Sequence, residues 1–253
     1  MKQRVLVTAG ASGIGREIVR AFADNGATVF VCDIDEEGLG RLAQEIPGLV
    51  TTVCDMADRQ DIGRMVARSV EAMGGLDVLV NNAGIAGPTV PVEAIDPDDW
   101  DKVVSVNLTG TFDVTRLAIP HLKKSPAGVI IVMSSAAGRF GYPNRASYAA
   151  TKWGLIGFTK TLAMELGEHG IRANAILPGT VEGPRIQRVF EGRAQATGRP
   201  VEEIKQVSMA NQSLKALVDP RDIAALAVFL ASDSAKTISG QALPIDGDIQ
   251  RLS

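Results

Sequence analysis

Residues 4–15 read RVLVTAGASGIG, a short apolar run that passes directly into a turn containing three glycines. The apolar run predicts a buried strand, and the pattern of residues 15–25 predicts an amphipathic helix. A strand, a glycine-rich turn and a helix in this order let the backbone approach a pyrophosphate closely and point helix N–H groups at its charge. This stretch therefore predicts a dinucleotide-binding α/β fold.

Strand and helix patterns continue to alternate along the rest of the chain. Since strands joined through helices form right-handed βαβ units, we expect a doubly wound parallel sheet, a three-layer α/β/α Rossmann-type fold. We expect one domain over residues 1–253, in which the mixed-charge stretch 182–214 forms a substrate-binding lid. The expected strands are 4–8, 28–33, 50–54, 77–81, 129–133, 172–177 and 242–245, and the expected helices are 15–25, 36–44, 58–73, 98–121, 147–168 and 219–231, with Asp58 and Asp98 as N-caps.

Composition and charge exclude several classes of partner. The chain has 253 residues, of which 45% are hydrophobic and 22% charged, and its formal net charge is −3. Because it has no basic surplus, we expect neither a nucleic acid nor an anionic membrane surface as a partner. No apolar run reaches the ~20 residues of a membrane span, and the beginning of the chain lacks a signal-peptide core, so we expect a cytoplasmic protein.

Cys32 and Cys54 are the only cysteines, and each ends an apolar run. This placement predicts buried, reduced thiols, which is consistent with a reducing cytoplasm. The two cysteines and two histidines form no cluster in the sequence of the kind that a four-ligand zinc site needs. We therefore expect no metal.

Asp33 ends the second predicted strand, 18 residues after Gly15. This offset is close to the ~20 residues that separate the glycine turn from the carboxylate that binds the adenosine ribose. A carboxylate there accepts a hydrogen bond from a 2′-hydroxyl and repels a 2′-phosphate, and Ser12 brings no positive charge to the turn. The sequence therefore favours NAD over NADP. The alternative to any cofactor binding is a tight turn without a ligand, followed by an aspartate on the surface.

Tyr148 and Lys152 lie four residues apart on a predicted helix, so their side chains share one face. A phenol has a pKa near ~10, and an adjacent ammonium lowers that pKa by stabilising the phenolate. Ser135 directly follows the predicted strand 129–133, at the sheet edge where α/β proteins bind ligands. An isolated Tyr-x-x-x-Lys match is more often a helix-surface pair, but here the pattern favours acid–base chemistry.

Taken together, several motifs make the chain resemble the short-chain dehydrogenase/reductase family over essentially its whole length. The resemblance implies that Tyr148 is the general acid/base at the substrate oxygen and that Ser135 orients that oxygen. It implies that Lys152 binds the nicotinamide ribose and lowers the pKa of Tyr148, that Asn107 holds a water for proton relay, and that the chain forms a homotetramer. The motifs are the glycine turn, Asn81-Asn82-Ala83-Gly84, Asn107, Ser135, Tyr148 with Lys152, Pro178-Gly179, Ser239-Gly240-Gln241 and Asp246-Gly247.

The resemblance also implies which residues bind the cofactor, and two positions depart from the family pattern. Ala9 stands where the family has its first glycine, and Gly183 stands where it has a threonine at the nicotinamide carboxamide; Thr180 is the nearest alternative for that contact. Asp55 matches the acidic residue at the adenine amino group. The implied cofactor residues are Ser12, Gly13, Ile14, Gly15, Asp33, Asp55, Met56, Asn82, Ala83, Gly84, Tyr148, Lys152, Pro178, Gly179 and Val181.

The sequence says less about the substrate. Aromatic residues make up only 4% of the chain, which favours a small sugar, polyol or hydroxy acid over a steroid-sized apolar molecule. Arg185 or Arg188, just after the Pro178 turn, is expected to meet a polar or anionic substrate, although mixed charge is also typical of a solvated surface. We therefore expect Ser135, Tyr148 and Arg185 to bind the substrate.

The function predicted is NAD-dependent hydride transfer between nicotinamide and a secondary alcohol or ketone. An NADPH-linked 3-oxoacyl-carrier-protein reductase shares the fold, but Asp33 argues against it. A non-catalytic dinucleotide-sensing protein would have no need of Ser135, Tyr148 and Lys152 together. A serine hydrolase is disfavoured because Ser135 lacks the Gly-x-Ser-x-Gly context.

Overall fold

A parallel sheet forms the centre of the computed structural model, which describes residues 2–252. Its seven strands are β1 Arg4–Thr8, β2 Thr28–Asp33, β3 Val50–Val53, β4 Val78–Asn81, β5 Val129–Met133, β6 Arg172–Pro178 and β7 Ala242–Ile245. They run in the order β3-β2-β1-β4-β5-β6-β7, and every neighbouring pair is parallel. The predicted doubly wound parallel sheet is confirmed.

Helices cover both faces of this sheet. They are α1 Gly13–Asp24, α2 Glu36–Glu45, α3 Arg59–Met73, α4 Pro97–Val104, α5 Gly110–Leu122, α6 Ala146–Leu166, α7 Pro184–Thr197, α8 Val201–Ala210 and α9 Pro220–Ala231. Buried side chains of α1, α2 and α9 form the core on one face, and those of α3, α5 and α6 form the core on the other. The three predicted layers are therefore present.

Strand β1 shows why the strands are apolar at every position. Val5 and Val7 pack into the core with α1 and α9, whereas Leu6 points to the other face and packs against Phe30 and Ile62. Since successive side chains alternate across a sheet, a strand covered on both faces has no polar side.

The single helix expected over 98–121 is interrupted. It is divided into α4 and α5 by a π-helical turn, Ser105–Thr109, and its N-cap is Asp96, whose carboxylate accepts the N–H of Asp98. The expected cap at Asp98 was wrong because Pro97, which has no N–H to donate, occupies the first helical position. The other expected elements begin and end within two residues of their observed positions.

The stretch 182–214 consists mainly of α7 and α8, with isolated bridges joining Val181 to Val218 and Gln212 to Ile249. These bridges attach its two ends to the segment before α9 and to the segment after β7. None of the seven strands falls within this stretch. Its role as a lid stays a prediction.

Both cysteines are free and buried, as predicted. Cys32 lies on β2 and Cys54 directly follows β3. In the sequence, each cysteine immediately precedes an aspartate, Asp33 or Asp55. Within residues 2–252, no group of three metal-binding side chains comes together. None of the helices in that range combines the length and the apolarity needed to cross a bilayer.

Candidate active site

The predicted site residues meet at the carboxyl edge of the sheet, around the point where the strand order reverses. β1 lies between β2 and β4 there, so chain connections leave β1 and β4 toward opposite faces and open a crevice. The glycine turn follows β1, and Asn82–Gly84 follows β4. Ser135 follows β5, and Pro178 ends β6.

The glycine turn is bonded to the segment after β4. The side-chain amide of Asn82 donates to the carbonyl oxygens of Thr8 at 3.1 Å and Ala9 at 2.8 Å. In return, the hydroxyl oxygen of Thr8 accepts the N–H groups of Asn82 at 3.0 Å and Ala83 at 3.1 Å. Ala9 keeps the left-handed conformation of a glycine, with φ 53°. The alanine therefore preserves the turn, at a strain of about 1–2 kcal/mol.

The turn leaves the amino end of α1 open. Ser12 is the N-cap but its side chain makes no capping hydrogen bond, and the first turn of the helix contains no acidic residue. Gly13 has φ 54° and open space where a Cβ would lie, while Ile14 packs partly against the core. Free N–H groups at a helix start attract phosphate oxygens, so this part of the site fits a dinucleotide pyrophosphate.

Gly15 is the position where the turn tolerates no side chain. A Cβ there would lie 2.1 Å from the carbonyl oxygen of Ala9 and 2.6 Å from the amide nitrogen of Asn82. We expect Gly15→Ala to lower the free energy of unfolding by about 1–3 kcal/mol, because the turn must shift to admit the methyl group. Urea denaturation measures that loss, and a fluorescence titration with NADH should show affinity weakened tenfold or more.

The matched control is Gly40→Ala on α2, where an added Cβ meets nothing within 4 Å. This change should leave NADH affinity unaltered and stabilise the helix by up to about 1 kcal/mol. Equal stability and equal NADH affinity for Gly15→Ala and the unsubstituted protein would contradict the tight turn.

Two aspartates predicted to bind the adenosine half of the cofactor lie at or just after the ends of neighbouring strands. Asp33, at the end of β2, accepts the N–H of Ala11 at 2.9 Å with Oδ2 and that of Asp35 at 3.1 Å with Oδ1. Asp55 accepts the N–H of Ala57 at 2.8 Å. The Met56 side chain is buried in the core, which leaves its backbone as the part available to a ligand.

The groups predicted to carry the chemistry converge on Tyr148 of α6. Ser135 is near enough to the Tyr148 hydroxyl to help lower its pKa, and Lys152 Nζ lies 5.6 Å from the centre of the ring. Lys152 is buried and donates to the carbonyl oxygen of Met133 at 2.8 Å. Ser134, the neighbour of Ser135, instead donates to the backbone of Lys152 at 2.8 Å, so it supports α6 and does not face the phenol.

The electrostatics around Tyr148 favour its phenolate. Burial alone would raise the pKa of Tyr148, but the charges of Lys152, Arg185 and Arg145 and the hydrogen bond with Ser135 outweigh it, so the pKa is lowered. Burial lowers the pKa of Lys152 to about 8, against the opposing effect of Tyr148. The pKa of Tyr148 is thus shifted downward, in the direction that a general acid/base working near neutral pH requires.

Asn107 lies in the π-helical turn and holds the chain after β4. Its Oδ1 accepts the N–H of Ile85 at 2.7 Å, and its Nδ2 donates to the carbonyl of Ile85 at 3.0 Å and to Thr151 at 3.2 Å. This places Asn107 next to the helix turn that carries Lys152. The expected role in holding a relay water stays a prediction.

The end of β6 carries the residues that are predicted to lie at the nicotinamide. The N–H of Gly179 donates to the carbonyl of Ile245 at 3.0 Å, and a Cβ on Gly179 would lie 2.6 Å from that of Asp246. Val181 bridges to Val218. Gly183 has φ 139°, a conformation that strains other residues, which explains why glycine stands where the family has threonine.

Two residues of the site escaped the sequence analysis. Arg145 precedes Tyr148 by three residues, and the centre of the Tyr148 ring lies 5.1 Å from its guanidinium carbon. Thr8 bonds the two loops that form the cofactor crevice. Two sequence features could have identified them: Arg145 lies three residues before Tyr148, and Thr8 is the last residue of the first strand. Of the two arginines predicted to meet the substrate, Arg185 lies near the phenol, with its guanidinium carbon 5.8 Å from the Tyr148 ring centre. Arg188 makes no ion pair or hydrogen bond with residues 2–252.

A dinucleotide crevice at a switch point, with a polarised phenol beside it, defines an α/β oxidoreductase. The family model described as enoyl-(acyl carrier protein) reductase matches residues 8–248. The chain belongs to the short-chain dehydrogenase/reductase family, as its motifs indicated.

Relatives within this family act on different substrates. The chain is 38% identical to 3-oxoacyl-[acyl-carrier-protein] reductase of Thermotoga maritima, over 96% of each chain. It is 37% identical to D-beta-hydroxybutyrate dehydrogenase of Cupriavidus necator, over 96% of this chain and 95% of that one.

Solved structures show the same fold with different nicotinamide cofactors. Actinorhodin polyketide ketoreductase with NADPH superposes with a TM-score of 0.92 at 34% identity, over 97% of this chain and 96% of that one. NAD+-bound xylitol dehydrogenase superposes with a TM-score of 0.93 at 28% identity, over 97% and 98%. The family is thereby established, while its members differ in both cofactor and substrate.

Proposed function

We propose that this chain is an NAD-dependent dehydrogenase that interconverts a secondary alcohol and a ketone of a small polar molecule. The observation that carries the proposal is Tyr148, which has Lys152 Nζ 5.6 Å from its ring centre and whose pKa is lowered, against the effect of burial, mainly by the charge of Lys152 and further by Ser135. A bound nicotinamide supplies the acceptor or donor of the hydride. The chain supplies proton transfer and orientation.

In the direction of oxidation, Tyr148 removes the proton from the substrate hydroxyl at its phenolate oxygen. Ser135 holds that substrate oxygen through its hydroxyl, while Lys152 stabilises the negative charge on the phenolate. In the direction of reduction, the same phenol returns the proton to the carbonyl oxygen. Orientation of reactants at contact distance contributes ~7–11 kcal/mol in such reactions, and acid–base assistance adds about 10²–10⁴-fold in rate.

Preference for NAD is supported by Asp33, whose carboxylate is fixed at the end of β2 by the N–H groups of Ala11 and Asp35. A 2′-phosphate there would meet like charge, while the nearby Arg16 is paired with Glu45 and Arg41 lies between Asp35 and Glu37. We expect kcat/KM with NAD to exceed that with NADP by about 10²-fold or more, since desolvated like charges cost several kcal/mol.

Asp33→Ser should reduce that ratio at least tenfold by improving NADP turnover and weakening NAD binding. The measurement is kcat/KM with each cofactor, read at 340 nm with the best alcohol of a panel of sugars, polyols and hydroxy acids. The control is Asp24→Ser, an aspartate at the end of α1 away from the sheet edge. Equal or better turnover with NADP in the unsubstituted protein would refute the NAD assignment.

A second candidate is an NADPH-linked 3-oxoacyl-carrier-protein reductase, supported by the 38% identity to the Thermotoga maritima enzyme. The same cofactor measurement decides between the two. A dinucleotide-sensing protein without chemistry is less well supported, because burying the Lys152 ammonium beside a phenol serves no purpose in binding alone.

We place the enzyme in the cytoplasm as a homotetramer. Support for assembly comes from apolar side chains on α5 and α6: Phe112 and Trp153 are 44% and 51% exposed, and Phe112 contacts the ring of Phe158. Leu155 and Leu162 on the same helix are core residues and do not add to this surface.

A further inference from the structure

Arg145 is an arginine buried in the substrate end of the site. It is 2% exposed and directly precedes α6. Its Nη2 donates to the carbonyl oxygen of Ala86 at 2.9 Å, but its Nε, although buried, has no hydrogen-bond partner among residues 2–252. Its guanidinium carbon lies 5.4 Å from the ring centre of Tyr142 and 5.1 Å from that of Tyr148. The guanidinium thus lies against the ring of Tyr148, and its Nε–H is available to a ligand.

Within the described range 2–252, no carboxylate pairs with the charge of Arg145. Burial lowers the pKa of Arg145, and the groups that act on it electrostatically are two phenols, Tyr142 and Tyr148, and two further guanidinium groups, Arg185 and Arg193. Guanidinium groups stay charged at any ordinary pH, and a buried charge without a counter-ion is strongly unfavourable. Contacts with aromatic rings compensate only part of that penalty.

Arg185 brings a second guanidinium to the same phenol from α7. Its Nη1 donates to the carbonyl oxygen of Gly84 at 3.2 Å, and its guanidinium carbon lies 5.8 Å from the ring centre of Tyr148. Because Arg185 is exposed and lies in the stretch 182–214, it can rearrange when a ligand enters. Lys152 adds a third positive charge to this end of the site.

We propose that the substrate carries a carboxylate close to the carbon that is oxidised, and that Arg145, assisted by Arg185, binds this carboxylate. The proposal rests on the proposed function and narrows its substrate class to short 2- or 3-hydroxy acids and the corresponding oxo acids. The guanidinium fork matches the two oxygens of a carboxylate, and such charge-assisted pairs are among the strongest polar contacts. The carboxylate takes no part in the reaction. Its binding positions the neighbouring alcohol carbon at Tyr148.

The short distance between Arg145 and Tyr148 limits the separation of the two functional groups. Since the guanidinium carbons of Arg145 and Arg185 lie 5.1 Å and 5.8 Å from the ring centre, a carboxylate bound to them stays close to a hydroxyl at the phenol, which favours short hydroxy acids over long ones. A sugar or polyol offers no anion to this position. Neutral substrates would leave the buried charge unbalanced.

The test compares each of several short 2- and 3-hydroxy acids with its own methyl ester, using NAD and reading absorbance at 340 nm. We expect the best acid to exceed its ester at least about 30-fold in kcat/KM, the ratio that a hydrogen-bonded charge pair supplies. Arg145→Gln should remove most of that ratio, chiefly by raising KM for the acid. The loss of the Arg145 charge also acts on the pKa of Tyr148, but it does so equally for acid and ester, so the ratio isolates binding of the carboxylate. Arg145→Lys should restore part of it.

Arg185→Gln should lower the acid-to-ester ratio about fivefold. The matched control is Arg188→Gln, three residues further along α7, which is exposed and makes no contact with the phenol. That variant should keep the full ratio. If Arg145→Gln does not fold, Arg145→Lys and Arg185→Gln decide the question, because both should still reduce the ratio.

Binding gives a second readout that needs no turnover. In the presence of NADH, butanoate should raise the melting temperature of the unsubstituted protein and butanamide should not, and Arg145→Gln should abolish the difference. Oxidation of esters and neutral polyols as efficiently as acids would overturn the carboxylate proposal and leave the dehydrogenase intact. If no alcohol in the acid, ester or polyol panel were oxidised with NAD or NADP, the proposed function itself would fall.

Discussion

Tyr148→Phe is expected to lower kcat about 10³–10⁴-fold, because the substitution removes the oxygen that exchanges a proton with the substrate and leaves the ring in place. The ring accounts for the packing contacts of Tyr148 with Arg145, Lys152 and Arg185, so the fold and the positions of these cations should survive. The hydroxyl accounts for the interaction with Ser135 that helps to lower the pKa of Tyr148. Steady-state rates with the best substrate of the panel measure the effect.

The control for this substitution is the affinity for NADH, measured by fluorescence titration. It should stay within about threefold, because the glycine turn, Asp33 and Asn82 do not depend on the phenol oxygen. A Tyr148→Phe variant that keeps wild-type turnover would show that another group carries the proton. A variant that loses NADH affinity along with turnover would show that the effect on rate is not chemical.

Lys152→Met is the second substitution expected to have a large effect, a loss of about 10²–10³-fold in kcat/KM. Among the groups that lower the pKa of Tyr148, the charge of Lys152 is the strongest, and it acts against burial, which raises that pKa. Removing the charge therefore raises the pKa of Tyr148. For oxidation, which needs the phenolate, the rise of log kcat/KM with pH should move to higher pH in the variant.

A pH profile of oxidation separates this effect from structural damage, since mere loss of packing lowers the rate without moving the profile. The pKa of Lys152 itself, about 8, predicts that its ammonium begins to lose its charge at mildly alkaline pH. The matched control is Lys160→Met, two turns along α6, where Nζ reaches the carbonyl of Gly240 at 3.1 Å on the surface. This control should keep both rate and profile; an unshifted profile in Lys152→Met would contradict the assigned role.

The motifs predicted the fold well because they report local requirements. The strand β1, the turn after it and Asp33 at the end of β2 are close in sequence, and their chemistry depends on backbone geometry that glycine and apolar residues reveal directly. The helix expected over 98–121 was interrupted because a π-helical turn inserts one extra residue without leaving a mark in hydrophobic periodicity.

The sequence by itself determined the order of the strands along the chain and of the helices outside 182–214, the open glycine turn and the pairing of Tyr148 with Lys152 on one helical face. Each of these follows from residues no more than about a helix apart, whose spacing sets their relation. Only the tertiary structure decided that Thr8 joins two distant loops, that Asn107 bonds Ile85, and that Arg145 and Arg185 meet at one phenol. Those contacts join residues far apart in the chain, and burial of Arg145 without a carboxylate becomes visible only once the sheet and its helices have closed around it.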